Sequence, residues 1–327
     1  MKKFCDHSPF YRQAAAIKRD TGVEVSQSTL GSAVLRAGDL LRPIREAMRM
    51  ELLSGGYIQA DETPVPVQSE KTQGRNHQAY LWEYGCPGGT VVYDFRMGRD
   101  REGPRKFLWQ FQGKLQSDGY EAYDNLAGGQ VVHFGCWAHV RRKFYDVLQL
   151  DPKNQQSGEI LEMIGKLYGV EREAQKGGLD AAGREVLRAE KSEPLLERLL
   201  ETLQGMRSVI LPKSALGKAC AYALGQWMKL KRYAEAGNGI VEIDNNWAEN
   251  GMRGVAVGRK NWLHVGSEEA GPKMAAIYSV VETCKRLKIN PREYLEEILP
   301  GLGDARTSQV KDLTLAAWKN RRAVQET

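Results

Sequence analysis

What most limits the folds open to this sequence is a period that changes and then changes back. From Gly55 to Phe134 short strand-like runs alternate with turns, whereas the pattern between Asp151 and Gly237 is helical throughout. A strand-like run, Gly239 to Ile243, then follows the helical stretch. Strands on both sides of a helical tract describe an α/β domain with a large all-helical insertion. The expected organisation is a helical region over 1–54, with a hairpin or helix-turn-helix pattern, and a mixed-sheet core over 55–150 and 238–300. The insertion covers 151–237, and 301–327 is a loosely docked C-terminal tail.

The local signals place the elements. Ser8-Pro9 starts a helix that runs to about Arg19, and Ser26 or Ser28 caps a second. Leu30, Val34, Ala37, Leu41, Ile44, Met48 and Leu52 recur at three- and four-residue steps and form one apolar stripe. Two helices with a glycine-containing turn fit a DNA-reading helix-turn-helix and equally a plain hairpin packed on the next domain, the simpler of the two. Tyr57 to Asp61 reads as a strand ended by Thr63-Pro64. Ala79–Tyr84 and Thr90–Phe95 are two more, joined by the turn Cys86-Pro87-Gly88-Gly89. A short helix from Pro104, strands at Lys114–Ser117 and Val131–Phe134, and an amphipathic helix from Cys136 to Leu148 complete a mixed sheet with flanking helices.

With 327 residues and 42% apolar content the chain can bury a substantial core. No apolar run of membrane-spanning length occurs, and MKKFCDHSPF lacks the apolar centre of a signal peptide. Cys5, Cys86, Cys136, Cys220 and Cys284 are scattered with no CxxC pair, as expected of reduced thiols in a cytoplasmic protein. The net charge of +6 is mild, but Arg253 to Arg292 holds eight Lys and Arg against three Glu. A basic segment beside clustered acids suits a polyanion guided towards bound cations, and a solvated face gives the same count.

The clustered acids lie in IVEIDNNWAENGMRGVAVGRKNW, Ile240 to Trp262. If this stretch is helical from Asn246, Glu249 and Arg253 stand four apart on one face. Asp61 and Asp118 each end a predicted strand, where a carboxylate emerges at the sheet's edge and can take a metal. Three such acids, Asp61, Asp118 and Glu249, suit a site for Mg²⁺, with Mn²⁺ as substitute and two ions expected, clamping the oxygens of a phosphoryl transfer. Each has a plainer reading: Asp61 caps a turn, Asp118-Gly119 is a common turn pair, and Glu249 pairs with Arg253. Glu62 competes with Asp61, and Asp244 with Glu249, at spacings that do not separate them. Cys136-Trp137-Ala138-His139 supplies two of the four ligands a structural zinc needs, with His133 and Cys5 as further partners. A packed Cys136 and a supporting His139 is the preferred reading. Arg141, Arg142 and Lys143 on the same helix, and Arg253, Arg259 and Lys260, suit DNA backbone phosphates. Trp262 and His264 can stack on an unpaired base, although core packing is the simpler account of Trp262. No nucleotide-type Gly-rich loop and no GxSxG is present.

Taken together, ADET around Asp61, LQSDGYEAY around Asp118, GCWAHVRRKF, IDNNWAEN around Glu249 and GRKNWL resemble, in order and spacing, the bacterial insertion-sequence-66-type transposases. The likeness runs from about Ser8 to Leu299. It implies an RNase H-like catalytic domain interrupted by a helical insertion, with Asp61, Asp118 and Glu249 as a DDE triad. It also implies Mg²⁺-dependent cutting of element ends and strand transfer by the freed 3′-hydroxyl. Cys136 and His139 fall where related DDE enzymes carry a C-x-x-H pair. Implied partners are double-stranded DNA at the element ends and target, accessory transposition proteins, and further copies of the chain on DNA. The implied location is the bacterial cytoplasm, at the nucleoid when bound to DNA. Two departures stand out: the family's upstream zinc-finger-like segment is not seen, and Asn250 replaces the arginine that usually follows the glutamate. An inactive, transposase-derived DNA-binding protein and a purely hydrolytic nuclease are the competing functions.

Overall fold

A computed structural model describes residues 1–69, 75–124, 126 and 130–325. It is a mixed α/β protein with a helical N-terminal region, consistent with the RNase H-like architecture that the resemblance implies. The strands β1 (Tyr57–Gln68), β2 (Asn76–Gly85), β3 (Val91–Arg96), β4 (Gly113–Gln116) and β5 (Val131–Phe134) form one sheet in the order β3-β2-β1-β4-β5. The pairs β1–β2 and β2–β3 are antiparallel, and β4–β5 is parallel. Among the described residues no helix is long and apolar enough to cross a membrane.

The chain divides into two compact units, one of Met1–Gln112, Leu126–Gln130 and Trp247–Thr327, the other of Gly113–Asn125 and Val131–Asn246. The first unit opens with α1 (Phe10–Thr21) and α2 (Gln27–Ser54). Ser26 caps α2 by accepting the Thr29 amide, and Leu41, Ile44, Met48 and Leu52 of the expected stripe are buried. That stripe packs along α10 (Ala270–Leu287). Helix α10 also covers the outer edge of β3. The Ser279 hydroxyl accepts the Tyr93 amide at 2.8 Å, and the Thr283 hydroxyl accepts the Val91 amide at 3.0 Å. Two hydroxyls one helical turn apart thus satisfy an edge that would otherwise template pairing with another chain.

Strand β1 does not stop at Thr63-Pro64 but continues to Gln68. Alternate residues of a strand direct their backbone groups to the same side, and the Pro66 carbonyl accepts the Val265 amide at 2.8 Å, away from β2. Pro64 and Pro66 therefore lack their N–H groups on the side where the β2 ladder needs none. The C-terminal stretch, expected to dock loosely, is held instead. Leu315 and Trp318 of α13 (Leu315–Gln325) are buried, and the Thr314 hydroxyl donates to Glu51 at 2.6 Å. The remaining helices of this unit are α3 (Glu102–Phe107), α9 (Asn246–Trp262, its first residue in the second unit), α11 (Pro291–Leu302) and α12 (Thr307–Val310).

The second unit sets β4 and β5 beside α4 (Trp137–Leu150), α5 (Gln155–Lys176), α6 (Ala181–Val209), α7 (Ala215–Gly225) and α8 (Trp227–Lys231). The run Gly239 to Ile243, expected as a strand, is not one. Its carbonyls go elsewhere: Val241 to the Arg188 guanidinium, Glu242 to the Gln116 side chain, and Ile243 to the Trp137 amide at the start of α4. With those acceptors taken, no ladder is needed to satisfy the backbone.

Candidate active site

In the first unit, Asp61 and Gln59 lie on the same face of β1, two residues apart. The Gln59 carboxamide oxygen accepts the Ala248 amide at 3.2 Å, which seats the first turn of α9 over that face. Glu249, the next residue, is half-buried, as is Asp61. Across the antiparallel ladder Asp61 is paired with Glu83. Glu62 is different. It pairs with Arg99 at 2.5 Å, and strand alternation turns it to the opposite face from Asp61.

Glu83 is the residue that the sequence reading missed. It has no solvent exposure, and burial pushes its carboxyl well above the usual carboxylate range; the charges of Glu282 and Asp61 add to that push, and Arg286 opposes it. The Tyr93 hydroxyl donates to Glu83 Oε2 at 3.1 Å and has the Gly251 carbonyl as its second acceptor at 3.0 Å. This chain ties the second turn of α9 to the sheet. The only signal in the sequence is an acid inside the apolar run Tyr80-Leu81-Trp82-Glu83-Tyr84. Gly251 is required here because a Cβ at that position would lie 2.2 Å from a Glu83 carboxyl oxygen. Gly251→Ala is expected to cost about 1–3 kcal/mol in urea unfolding through overpacking. Glu83→Ala in the same chain should recover part of that loss, and simple additivity of the two changes would contradict the contact.

The same burial gives a pH dependence. The folded-state pKa of Glu83 is raised, so its contribution is fully present below the unfolded value, about 4.3, and is lost as pH rises through the folded value. Glu83→Gln, which cannot ionise, should therefore gain in melting temperature over the parent as pH rises from 5 to 8. A difference that stays constant over that interval would show that Glu83 is not buried as a neutral acid.

In the second unit, Asp118 follows β4 by two residues, at a turn where Gly119 has φ +90°. A Cβ at Gly119 would meet the Gln226 side chain at 3.0 Å, so both conformation and space call for glycine. The Tyr120 amide donates to Asp118 Oδ1 at 2.9 Å, and the Tyr222 hydroxyl donates to the Asp118 carbonyl at 2.6 Å. Asp244 is buried. It accepts the Tyr168 hydroxyl at 2.7 Å and the Asn246 amide at 3.1 Å, the latter fixing the start of α9, and burial raises its carboxyl pKa.

Cys136 is buried at the start of α4, its sulfur accepting the Asn245 amide at 3.4 Å. The sulfur and a ring nitrogen of His139 lie within 4.8 Å of each other. His133, weighed as a zinc ligand, has both ring nitrogens hydrogen-bonded, to Ser117 and Asp124. Arg141, Arg142 and Lys143 are exposed on α4, whose Trp137, Val140 and Phe144 are buried. On α9 Arg253 and Lys260 are exposed, and Arg259 donates to the Pro64 carbonyl. Trp262 is 9% exposed, with the Lys3 ammonium 5.6 Å from its ring, so the indole is part of the first unit's core.

Residues 1–273 match the family described as Transposase IS66 family. Three proteins of Sinorhizobium fredii are similar to this chain, each named only as an uncharacterized protein. The protein y4qI is 34% identical over 91% of this chain and 57% of its own length. The protein y4hP is 29% identical over 98% and 61%, and y4jD is 30% identical over 98% and 64%. The chain thus spans about three-fifths of the length of these relatives. It belongs to the IS66 family of transposases.

Proposed function

We propose that the chain carries out DNA transposition by DDE chemistry, cutting transposon ends in a metal-dependent step and joining the freed 3′-hydroxyl to target DNA. The observation that supports this reading is the family match over residues 1–273, a range that includes Asp61, Asp118 and Glu249. In this reading those three acids hold the metal. Their donor set fits Mg²⁺, or Mn²⁺ in its place: three half-buried carboxylates offering hard oxygen ligands. A pair of such ions, when bound, supplies charge stabilisation to the attacking and leaving oxygens.

The chain's own part is to hold and orient. Arg141, Arg142 and Lys143 on α4, with Arg253, Arg259 and Lys260 on α9, take backbone phosphates, so DNA binding should weaken steeply with salt. Glu83 and Gln59 hold the start of α9 against β1 and β2, which keeps Glu249 in place. Residues 55–150 and 238–300 form the catalytic core and 151–237 its insertion. The working form is an oligomer on paired DNA ends, in the bacterial cytoplasm.

A product assay on the DNA that flanks the coding region, searched first for inverted repeats, tests the reading. Joined DNA in Mg²⁺ is the expected result. Ends without joining would instead mark a hydrolytic nuclease, and salt-sensitive binding without any product would mark an inactive DNA-binding derivative.

A further inference from the structure

Beside Asp118, three side chains from the stretch Ser117 to His133 meet in the second unit. Ser117 Oγ lies 2.8 Å from His133 Nε2, and His133 Nδ1 lies 2.7 Å from Asp124 Oδ1. The Lys229 ammonium closes the far end, 2.7 Å from the same Asp124 oxygen. Ser117 has no solvent exposure and His133 has 6%. These are the residue types of acyl-transfer triads, but a serine without solvent exposure presents no nucleophile to a substrate. Their output is directed at the backbone instead.

The proton positions follow from the surroundings. Burial lowers the His133 pKa against the opposing pull of Asp124, so the imidazole is neutral. Asp124 is held down to about 2, first by its hydrogen bond to His133 and then by Lys229. An ionised Asp124 accepts only, so His133 carries its proton on Nδ1 and offers Nε2 to the Ser117 hydroxyl. With its proton committed to His133, Ser117 Oγ turns a lone pair to the Gly119 amide, 3.4 Å away. The Ser117 amide is itself bonded to the Phe134 carbonyl at 3.2 Å. Asp118 is therefore bracketed: Ser117 fixed on one side, the Gly119 amide held on the other, and its own carbonyl bound by Tyr222. Its Oδ1 takes the Tyr120 amide, while Oδ2 has no hydrogen bond among the described residues and is left to a cation.

We infer that Ser117, His133 and Asp124 are positioning residues, a hydrogen-bonded relay that sets the Asp118 carboxylate for a divalent cation. The inference rests on the proposed function, in which Asp118 is a metal ligand. The three relay residues touch neither the substrate nor the metal; they act through the backbone on either side of Asp118. Outer partners of metal ligands commonly govern affinity by about 10- to 100-fold, and this relay should do so in the same range.

The test is titration of the whole 327-residue chain with Mn²⁺ alone, read by the loss of the free-ion paramagnetic resonance signal. Ser117→Ala removes one hydroxyl. Asp124→Asn keeps shape but takes away the charge that sets the His133 tautomer. Each is expected to weaken Mn²⁺ binding about tenfold, with the helical circular dichroism of the parent retained. The two changes act at opposite ends of the relay, so either one suffices if the other fails to fold. Asp118→Asn separates the two readings. If it abolishes binding while both relay variants bind like the parent, the relay is overturned and the proposed function stands. If Asp118→Asn itself binds like the parent, the metal-ligand assignment fails and the relay inference falls with it.

Discussion

Arg188→Ala is expected to cost about 3–5 kcal/mol of stability, the range for breaking a buried ion pair from one side. The guanidinium is 1% exposed and makes a two-pronged contact with Glu171 of α5, at 2.8 and 2.7 Å. It also donates to the carbonyls of Tyr233 at 2.8 Å, Asn238 at 3.2 Å and Val241 at 2.9 Å. Removing it leaves Glu171 with Arg184 as its cation among the described residues, at 3.1 Å, and strips three carbonyls of their Arg188 donor. Lysine should not rescue the loss, because a single ammonium cannot reproduce the planar fork that reaches both carboxylate oxygens and the carbonyls. The measurement is urea unfolding of parent, Arg188→Ala and Arg188→Lys, with amide exchange followed at Val241 to Ile243. A loss below about 1 kcal/mol, in the range of an exposed pair, would show that Arg188 does not hold that segment.

That prediction also explains where the sequence misled. Gly239 to Ile243 has the composition of a strand, but periodicity says nothing about a guanidinium arriving from more than fifty residues upstream to take its carbonyls. The two prolines of β1 read as a stop because the side on which each N–H is missing depends on pairing, which a linear pattern does not contain. The docking of the C-terminal helix was hidden for a similar reason: Leu315 and Trp318 are too few to form a readable stripe. What was legible was the part governed by local chemistry. The α2 stripe, the Ser26 cap, the amphipathic α4 and four of the five strands follow from spacing and turn residues alone.

The candidate site divides in the same way. Asp61 and Asp118 could be singled out because each stands at or just beyond a recognisable strand signal, and Glu249 because acids crowd the start of one helix. Glu83 could not, since an acid in a strand reads as a surface residue until its burial is known. Ser117, Asp124 and His133 are unremarkable separately, and only the parallel pairing of β4 and β5 brings Ser117 level with the strand that carries His133.

Asp61, Asp118 and Glu249 are the residues proposed to carry the chemistry. On that proposal, loss of any one would remove an oxygen ligand from metal ions that would offset charge in the transition state, a contribution of several kcal/mol. Since 1.4 kcal/mol is a factor of ten, each single substitution should lower the rate about 100-fold or more. Glu62 provides the internal control: it is adjacent to Asp61 but engaged with Arg99 on the other face. The rate to follow is that of Mg²⁺-dependent cleavage and joining of DNA from either side of the coding region by the parent, Asp61→Ala, Asp118→Ala, Glu249→Ala and Glu62→Gln. Near-complete loss is expected in the three alanine variants, and a rate within a few-fold of the parent for Glu62→Gln. Parental activity in any of the three alanine variants would contradict that proposal.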